Sequence, residues 1–151
     1  MSKLHKLGVI GNPIEHSMSP FIHSRFGRYE NISLEYLPYK INEPDFNEFV
    51  KEFFSDKYAK GLNVTLPYKK KASEISGDIS KEAKYINAVN TITNNKNKLS
   101  LASTDGVGFI DDINSKKFDL ENKKILIIGA GAASESVLYK LSLIHIWRCR
   151  R

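Results

Sequence analysis

Cysteine is almost absent from this sequence, since Cys149 is the only one among 151 residues. A single thiol cannot build an internal disulfide framework, which excludes the disulfide-stabilised secreted domains and favours a cytoplasmic protein. Apolar runs long enough to cross a membrane are missing too, and the first residues contain no signal-peptide apolar region. The four histidines are scattered, without the spacing of a metal site. We therefore expect no metal and no membrane partner.

Acidic residues are in the minority, because 23 Lys and Arg outnumber 17 Asp and Glu and leave a formal net charge of +6. Arg148, Arg150 and Arg151 carry half of that excess. The other basic residues are spread out, apart from the run Lys69-Lys70-Lys71. A nucleic-acid surface needs a basic stripe with interleaved aromatics, and none is present. We expect a solvated basic surface and no nucleic-acid partner.

Strand-like and helix-like segments alternate along the chain, and 41% of its residues are hydrophobic. Apolar alternation and β-branched runs predict strands at residues 7–11, 33–41, 61–66, 88–94, 98–103 and 123–128. Helical spacing and capping signals predict helices at residues 20–29, 43–55, 68–75, 80–86, 105–116 and 132–140. This order favours an α/β fold, a three-layer sandwich with a largely parallel mixed sheet.

The polar stretch at residues 114–124 is the predicted junction between two domains. We expect a catalytic domain over residues 1–115 and the first βα unit of a Rossmann domain over residues 116–140. Residues 141–151 then hold the only Trp and the only Cys. This tail resembles a translated sequencing-library adapter with TGA read as Trp, and we expect it to be non-native. The alternative is a genuine basic C-terminal helix.

The most informative segment spans residues 63–69, Asn-Val-Thr-Leu-Pro-Tyr-Lys. Asn63 and Thr65 bring hydrogen-bonding groups to the end of a strand. Pro67 stops the strand and can open a helix, which puts Lys69 in the first helical turn. The helix dipole there disfavours a cation, as a general base requires. The alternative is that Lys69 belongs to a solvated lysine face.

Three further segments carry polar groups at strand or helix ends. Ser17 and Ser19 stand two residues apart before a helix, where they can bind a carboxylate, or Ser19 merely caps the helix. Asn90 starts a strand, where it binds a ligand hydroxyl or satisfies a turn. Asp105 either caps a helix or pairs with Lys69 and holds the amine in place.

A glycine turn follows the predicted strand at residues 123–128, and it reads Gly129-Ala130-Gly131-Ala132-Ala133-Ser134. The first glycine suits a tight turn, and the second lets a pyrophosphate approach the backbone. The pattern resembles a dinucleotide-binding fingerprint, supported here by a strand before it and a helix after it.

Taken together and in this order, the five segments resemble shikimate dehydrogenase, over about residues 7–140. The resemblance implies reversible oxidation of shikimate to 3-dehydroshikimate with NADP, in aromatic amino-acid biosynthesis. It implies that Lys69 and Asp105 are the catalytic pair. The implied substrate-binding residues are Ser17, Ser19, Asn63, Thr65 and Asn90, and the implied cofactor-binding residues are Gly129, Ala130, Gly131, Ala132 and Ala133.

The sequence departs from the family pattern at Ser103, where Asn is usual, at Asn87, where Gly is common, and at Ala132, where a third Gly is usual. The family's NADP-selecting basic motif has no counterpart here, so we expect the chain by itself to lack dehydrogenase activity. An NAD-dependent quinate/shikimate dehydrogenase is therefore an open alternative. A binding-only module for a polyhydroxylated carboxylate is another, and the oligomeric state stays open, with a homodimer as one option.

Overall fold

The computed structural model describes residues 4–121 and 123–145. Its strands are β1 (His5–Gly11), β2 (Leu34–Lys40), β3 (Ala59–Val64), β4 (Asp78–Ile79), β5 (Thr91–Asn95) and β6 (Lys98–Ala102). They form one sheet in the order β2-β1-β3-β5-β6-β4. β1 is parallel to β2 and β3, β4 is parallel to β6, and β5 is antiparallel to both β3 and β6. The predicted mixed, largely parallel sheet is confirmed.

Helices connect or follow these strands in the alternation that the sequence predicts. They are α1 (Ser19–Tyr29), α2 (Phe46–Ser55), α3 (Lys69–Ala72), α4 (Lys81–Ile86), α5 (Asp105–Ser115) and α6 (Ala132–His145). Among the residues that the structure describes, none of these helices combines the length and apolar character that crossing a membrane requires.

Neighbouring residues of β1 point to opposite faces of the sheet, and both faces are covered. Ile10 is fully buried in the larger hydrophobic cluster, which also contains Phe46 of α2. Val9 belongs to a second cluster with Tyr36, whose ring stacks on His23 of α1 with 4.2 Å between centroids. α1 and α2 therefore lie on opposite sides of the sheet, which makes the three-layer sandwich.

One edge of the sheet collects the ends of several strands. Ile10 of β1 is in register with Val64, the last residue of β3, so the segments after both strands leave the sheet side by side. Thr91, which starts β5, pairs with Ala102 at the end of β6 and with Asn63 of β3. The segments after β1, β3 and β6 and the residue before β5 therefore meet at this edge, called the site edge below.

The predicted strand at residues 123–128 is wrong, because this segment has no strand structure. Leu126 and Ile128 are 84% and 90% exposed. An apolar parallel strand needs partners for its backbone and cover on both faces, and no strand within residues 4–121 pairs with it. The helix after it does form, and α6 extends to His145, past the expected boundary at residue 140.

Two other predicted elements are shorter than expected, for local reasons. The helix predicted at residues 68–75 is reduced to α3, because the next amides bond only three residues back, as Ser73 N does to Lys70 O at 3.0 Å. The strand predicted at residues 88–94 starts at Thr91. Asn87 ends α4 in the left-handed conformation, with φ 51°, so the chain first turns before it enters the sheet.

Candidate active site

Lys69 and Asp105 form an ion pair at the site edge. The Lys69 Nζ donates to Asp105 Oδ2 at 2.6 Å, and the two side chains are only 14% and 26% exposed. Each stands at the first position of a helix, α3 and α5. The partial burial and the partner exclude a solvated lysine face at Lys69. Because α3 has four residues, the charge next to the amine comes from Asp105 rather than from a helix dipole.

The Asn90 side chain holds the other oxygen of Asp105. Its Nδ2 donates to Asp105 Oδ1 at 2.7 Å, and its Oδ1 accepts from the Thr104 backbone amide at 3.0 Å. Both carboxylate oxygens of Asp105 are therefore engaged, one by an amine and one by an amide. Such a carboxylate is fixed in orientation, and so is the amine that points at it.

Ser17, Ser19 and Thr65 share a cavity of about 280 Å³ at the same edge. Its lining residues are Val9, Pro13, Ile14, His16, Ser17, Ser19 and Thr65. The Ser17 Oγ accepts from the Ser19 backbone amide at 3.3 Å, whereas Ser19 itself is the first residue of α1 and makes no capping bond. The alternative that Ser19 only caps the helix is therefore wrong, because the cap residue is Met18.

Tyr36 and Asn63 lie between these two groups of residues. The Tyr36 hydroxyl donates to Asn63 Oδ1 at 2.8 Å. The Asn63 Nδ2 reaches the Asn90 backbone oxygen at 3.5 Å and Thr91 Oγ1 at 3.4 Å. Burial raises the pKa of Tyr36 to about 12, and the nearby Ser19 hydroxyl acts in the opposite direction. Polar contacts thus run from Ser19 through Tyr36, Asn63 and Asn90 to Asp105 and Lys69.

Sequence reasoning missed two residues of this site. Tyr36 lies in the predicted strand at residues 33–41, and the alternation of that strand gives no reason to assign its hydroxyl a role. His16 lines the cavity, and its position between Ile14 and Ser17 is the only signal that could have indicated it. The remaining predicted substrate residues, Asn63, Thr65 and Asn90, are all brought to the site edge.

The glycine turn lies before α6. Gly129 has φ +115°, a conformation that side-chain-bearing residues rarely adopt. Gly131 O accepts from the Glu135 amide at 3.0 Å, and α6 begins at Ala132. No neighbouring atom lies within 4 Å of a Cβ built on Gly131. The amides of the first turn of this 14-residue helix are donors without a partner inside the helix, as a phosphate group requires.

Comparison with known proteins agrees with this arrangement. Residues 9–92, more than half of the chain, match the family described as the shikimate dehydrogenase substrate binding domain. The chain belongs to the shikimate dehydrogenase family. The match ends just after Asn90 and Thr91, so it includes every residue of the site edge that precedes β6.

Whole-chain relatives extend the similarity beyond that domain. The NADP(+) shikimate dehydrogenase of Legionella pneumophila (strain Lens) is 41% identical over 138 residues, which are 91% of this chain and 51% of the relative. The chain spans about half the length of the curated relatives it matches.

Solved structures of the family have the same fold. The shikimate dehydrogenase of Aquifex aeolicus superimposes with a TM-score of 0.87 at 34% identity, over 95% of this chain and 53% of that protein. The enzyme of Thermus thermophilus in complex with NADP(H) and shikimate gives a TM-score of 0.86 at 28% identity, over 93% and 52%.

Proposed function

We propose that this chain contains the substrate-binding and acid–base part of an NADP-dependent shikimate dehydrogenase, which interconverts shikimate and 3-dehydroshikimate. The single observation that carries the proposal is the 2.6 Å ion pair between Lys69 and Asp105, whose other carboxylate oxygen accepts a hydrogen bond from Asn90. An amine held by a carboxylate can take and return a proton, which alcohol oxidation needs and pure binding does not.

The proposed roles of the residues follow from their chemistry. Ser17 and Ser19 donate hydrogen bonds to the substrate carboxylate, and Asn63, Thr65 and Asn90 bind ring hydroxyls. In its neutral form, the Lys69 amine takes the proton of the alcohol that is oxidised, and the ion pair with Asp105 is the charge state that results. In the reverse direction, the ammonium returns its proton to the new hydroxyl. The cavity of about 280 Å³ is of a size for a small ligand of this kind.

Residues 129–133 are proposed to bind the cofactor phosphates. Gly129 supplies the turn, Gly131 allows close approach, and the backbone amides of Ala132 and Ala133 face an anion at the start of α6. NADP, when bound, accepts the hydride, and this chain's own residues orient the substrate and move its proton. The domain boundaries at residues 115 and 140, the non-native tail and a cytoplasmic location stay proposals beside this one.

Binding and turnover are tested separately. Calorimetric titration of the 151-residue chain with shikimate should show one binding site. Ser17→Ala should lower the affinity for shikimate by about tenfold, since one charge-assisted hydrogen bond is lost. Ser24→Ala is the matched control, because Ser24 lies on α1 and its hydroxyl donates to Phe21 O within the same helix. Stronger binding of quinate would favour the quinate/shikimate alternative.

Turnover is measured in a two-domain hybrid, in which residues 1–140 are joined to the remaining cofactor domain of the Legionella pneumophila relative. NADPH formation with shikimate is the expected result. A hybrid that binds shikimate but forms no reduced cofactor with either NADP or NAD would leave only the binding-module alternative.

A further inference from the structure

Apart from tyrosines, three residues with polar side chains are buried in the described part of the chain, and all three belong to one cluster. Glu82, Ser103 and Ser136 are 7%, 8% and 0% exposed. They come from α4, from the residue just after β6 and from α6, and they surround the start of α5. Buried polar groups cost free energy unless every one is paired, so a cluster of this kind is a specific arrangement.

The hydroxyl of Ser136 is fully engaged. It donates to Glu82 Oε1 at 2.6 Å and accepts from the Gly106 backbone amide at 2.8 Å. The Ser103 hydroxyl lies 3.1 Å away and completes the set. A serine hydroxyl has one donor and two acceptor positions, so all three are used. The Gly106 amide is one of the orphan donors in the first turn of α5, and Ser136 supplies its acceptor.

The charge of Glu82 is also compensated. Lys140, one turn after Ser136 on α6, brings its Nζ to 2.8 Å from Glu82 Oε2. Each oxygen of this buried carboxylate thus binds a group from α6, one neutral and one charged. The cluster therefore ties α6 to α4 and to the start of α5 at the same time.

At Gly106, α5 comes very close to the backbone of α6. A Cβ built there would lie 2.3 Å from the backbone oxygen of Ser136, so only glycine allows the helices to come this close. Gly106 directly follows Asp105, whose side chain binds Lys69 and Asn90. The backbone next to Asp105 is thus held by a hydrogen bond to α6.

We propose that Ser136 is a positioning residue for the Lys69–Asp105 pair, and that it acts through the Gly106 amide. α6 follows the glycine turn of the predicted cofactor segment, so the same bond couples the seating of that segment to the geometry of the acid–base pair. The catalytic meaning of this coupling rests on the proposed function, whereas the coupling itself does not.

The test uses nuclear magnetic resonance on the 151-residue chain and compares S136A, S136C and S142A with the unsubstituted protein. S142A is the matched control, because Ser142 is an exposed residue of α6 whose hydroxyl donates to Tyr139 O within the same helix. In S136A, the Gly106 amide should exchange its hydrogen at least about tenfold faster, since its acceptor is removed. The side-chain carboxyl resonance of Asp105 should move, while S142A leaves both signals unchanged.

S136C replaces the hydroxyl by a somewhat larger thiol, which is a weaker donor and acceptor. It serves as the second variant if S136A fails to fold, and it should shift both signals in the same direction by a smaller amount. Unchanged Gly106 exchange and Asp105 resonance in a folded S136A or S136C protein would overturn the proposal. Loss of folding in both variants would overturn it too, because the residue would then serve general stability.

A kinetic arm separates this proposal from the proposed function. In the two-domain hybrid, S136A should lower kcat about tenfold, the equivalent of one hydrogen bond, and change KM for shikimate less than about twofold. An inactive unsubstituted hybrid would reject the dehydrogenase proposal, while the resonance measurements would still decide the role of Ser136.

Discussion

Lys69 and Asp105, 36 positions apart in the sequence, meet through a 2.6 Å bond between Nζ and Oδ2. The contact joins the segment after β3 to the start of the helix after β6. It exists because β5 lies between these strands and pairs antiparallel with both. The sheet therefore delivers both charged groups to one edge, where Asn90 fixes the carboxylate from its other oxygen.

Replacing Lys69 by Met should remove proton transfer and keep most of the side-chain volume. We expect kcat of the two-domain hybrid to fall by about 10²–10⁴-fold, the range that a positioned acid–base group contributes. Calorimetric binding of shikimate should weaken far less. Lys70→Met is the control, since Lys70 is an exposed neighbour in the same lysine run. Equal losses of kcat in both variants would contradict the assignment of Lys69.

Tyr36 should make the stability of the fold depend on alkaline pH. Its pKa is raised from 10.0 to about 12 by burial, so the unfolded chain loses this proton first as the pH rises. The stabilisation is complete below pH 10 and is lost as the pH approaches 12. The free energy of unfolding should therefore fall by about 2–3 kcal/mol in this window.

Denaturant titrations at several pH values measure this effect, with Tyr36→Phe as the variant that removes the titrating group. The variant should show a flatter decline than the unsubstituted protein. Tyr29→Phe is the control, because Tyr29 is 84% exposed. This substitution should leave the decline of the unfolding free energy with pH unchanged. Parallel curves for the unsubstituted and Tyr36→Phe proteins would show that the hydroxyl is not buried.

Gly106 and Gly108 lie two residues apart on α5 and should respond oppositely to alanine. A Cβ at Gly106 would meet the Ser136 backbone oxygen at 2.3 Å, whereas nothing lies within 4 Å of a Cβ at Gly108. Gly106→Ala should destabilise the protein by about 1–3 kcal/mol through this clash. Gly108→Ala should stabilise it by about 0.5–1 kcal/mol, because alanine favours the helix interior. Thermal unfolding of the two variants measures these changes in stability. Stabilisation by both substitutions would contradict the close contact of α5 with α6.

The Glu15 side chain forms an ion pair with Lys40, which links the loop that contains Ser17 to the end of β2. A hydrogen bond from Lys40 lowers the pKa of Glu15 to about 2, with help from the backbone amides of Glu15 and Ile14. Lys40→Met should raise this pKa toward the ordinary 4.5, as followed by the carboxyl resonance of Glu15 during acid titration. Lys51→Met, which removes one charge elsewhere, is the control. An unshifted titration of Glu15 in Lys40→Met would show that the pair does not form in solution.

Prediction from the sequence succeeds where structure depends on near neighbours. The helix from about Pro20 to Tyr29 and the strand before Asn12 follow from local pattern, and both form. The predicted strand at residues 123–128 fails, because a strand needs partners that no local pattern supplies. β4, with two residues, is too short to leave a pattern and exists only through its pairing with β6.

The residues of the site also fall into two groups, those that local sequence pattern indicates and those that it does not. Lys69, Asp105 and Asn90 can be named from their places at strand and helix ends, and the hypothesis that the first two pair agrees with their 2.6 Å contact. Tyr36 and Ser136 cannot be identified in this way, because only their hydrogen-bond partners reveal their role. The Tyr36 hydroxyl bonds to Asn63, and the Ser136 hydroxyl bonds to Glu82 and Gly106. Their partners are 27, 54 and 30 positions away.

The sequence by itself determined most helices and strands and the order of the chemical groups along them, because propensity, periodicity and capping act over a few residues. Which groups touch was decided only by the tertiary structure. Sheet register and helix packing set distances to tenths of an ångström, and they depend on contacts between segments that are far apart along the chain. The acid–base pair could be anticipated as a hypothesis, whereas the hydroxyls that hold it in place became visible only once the chain was folded.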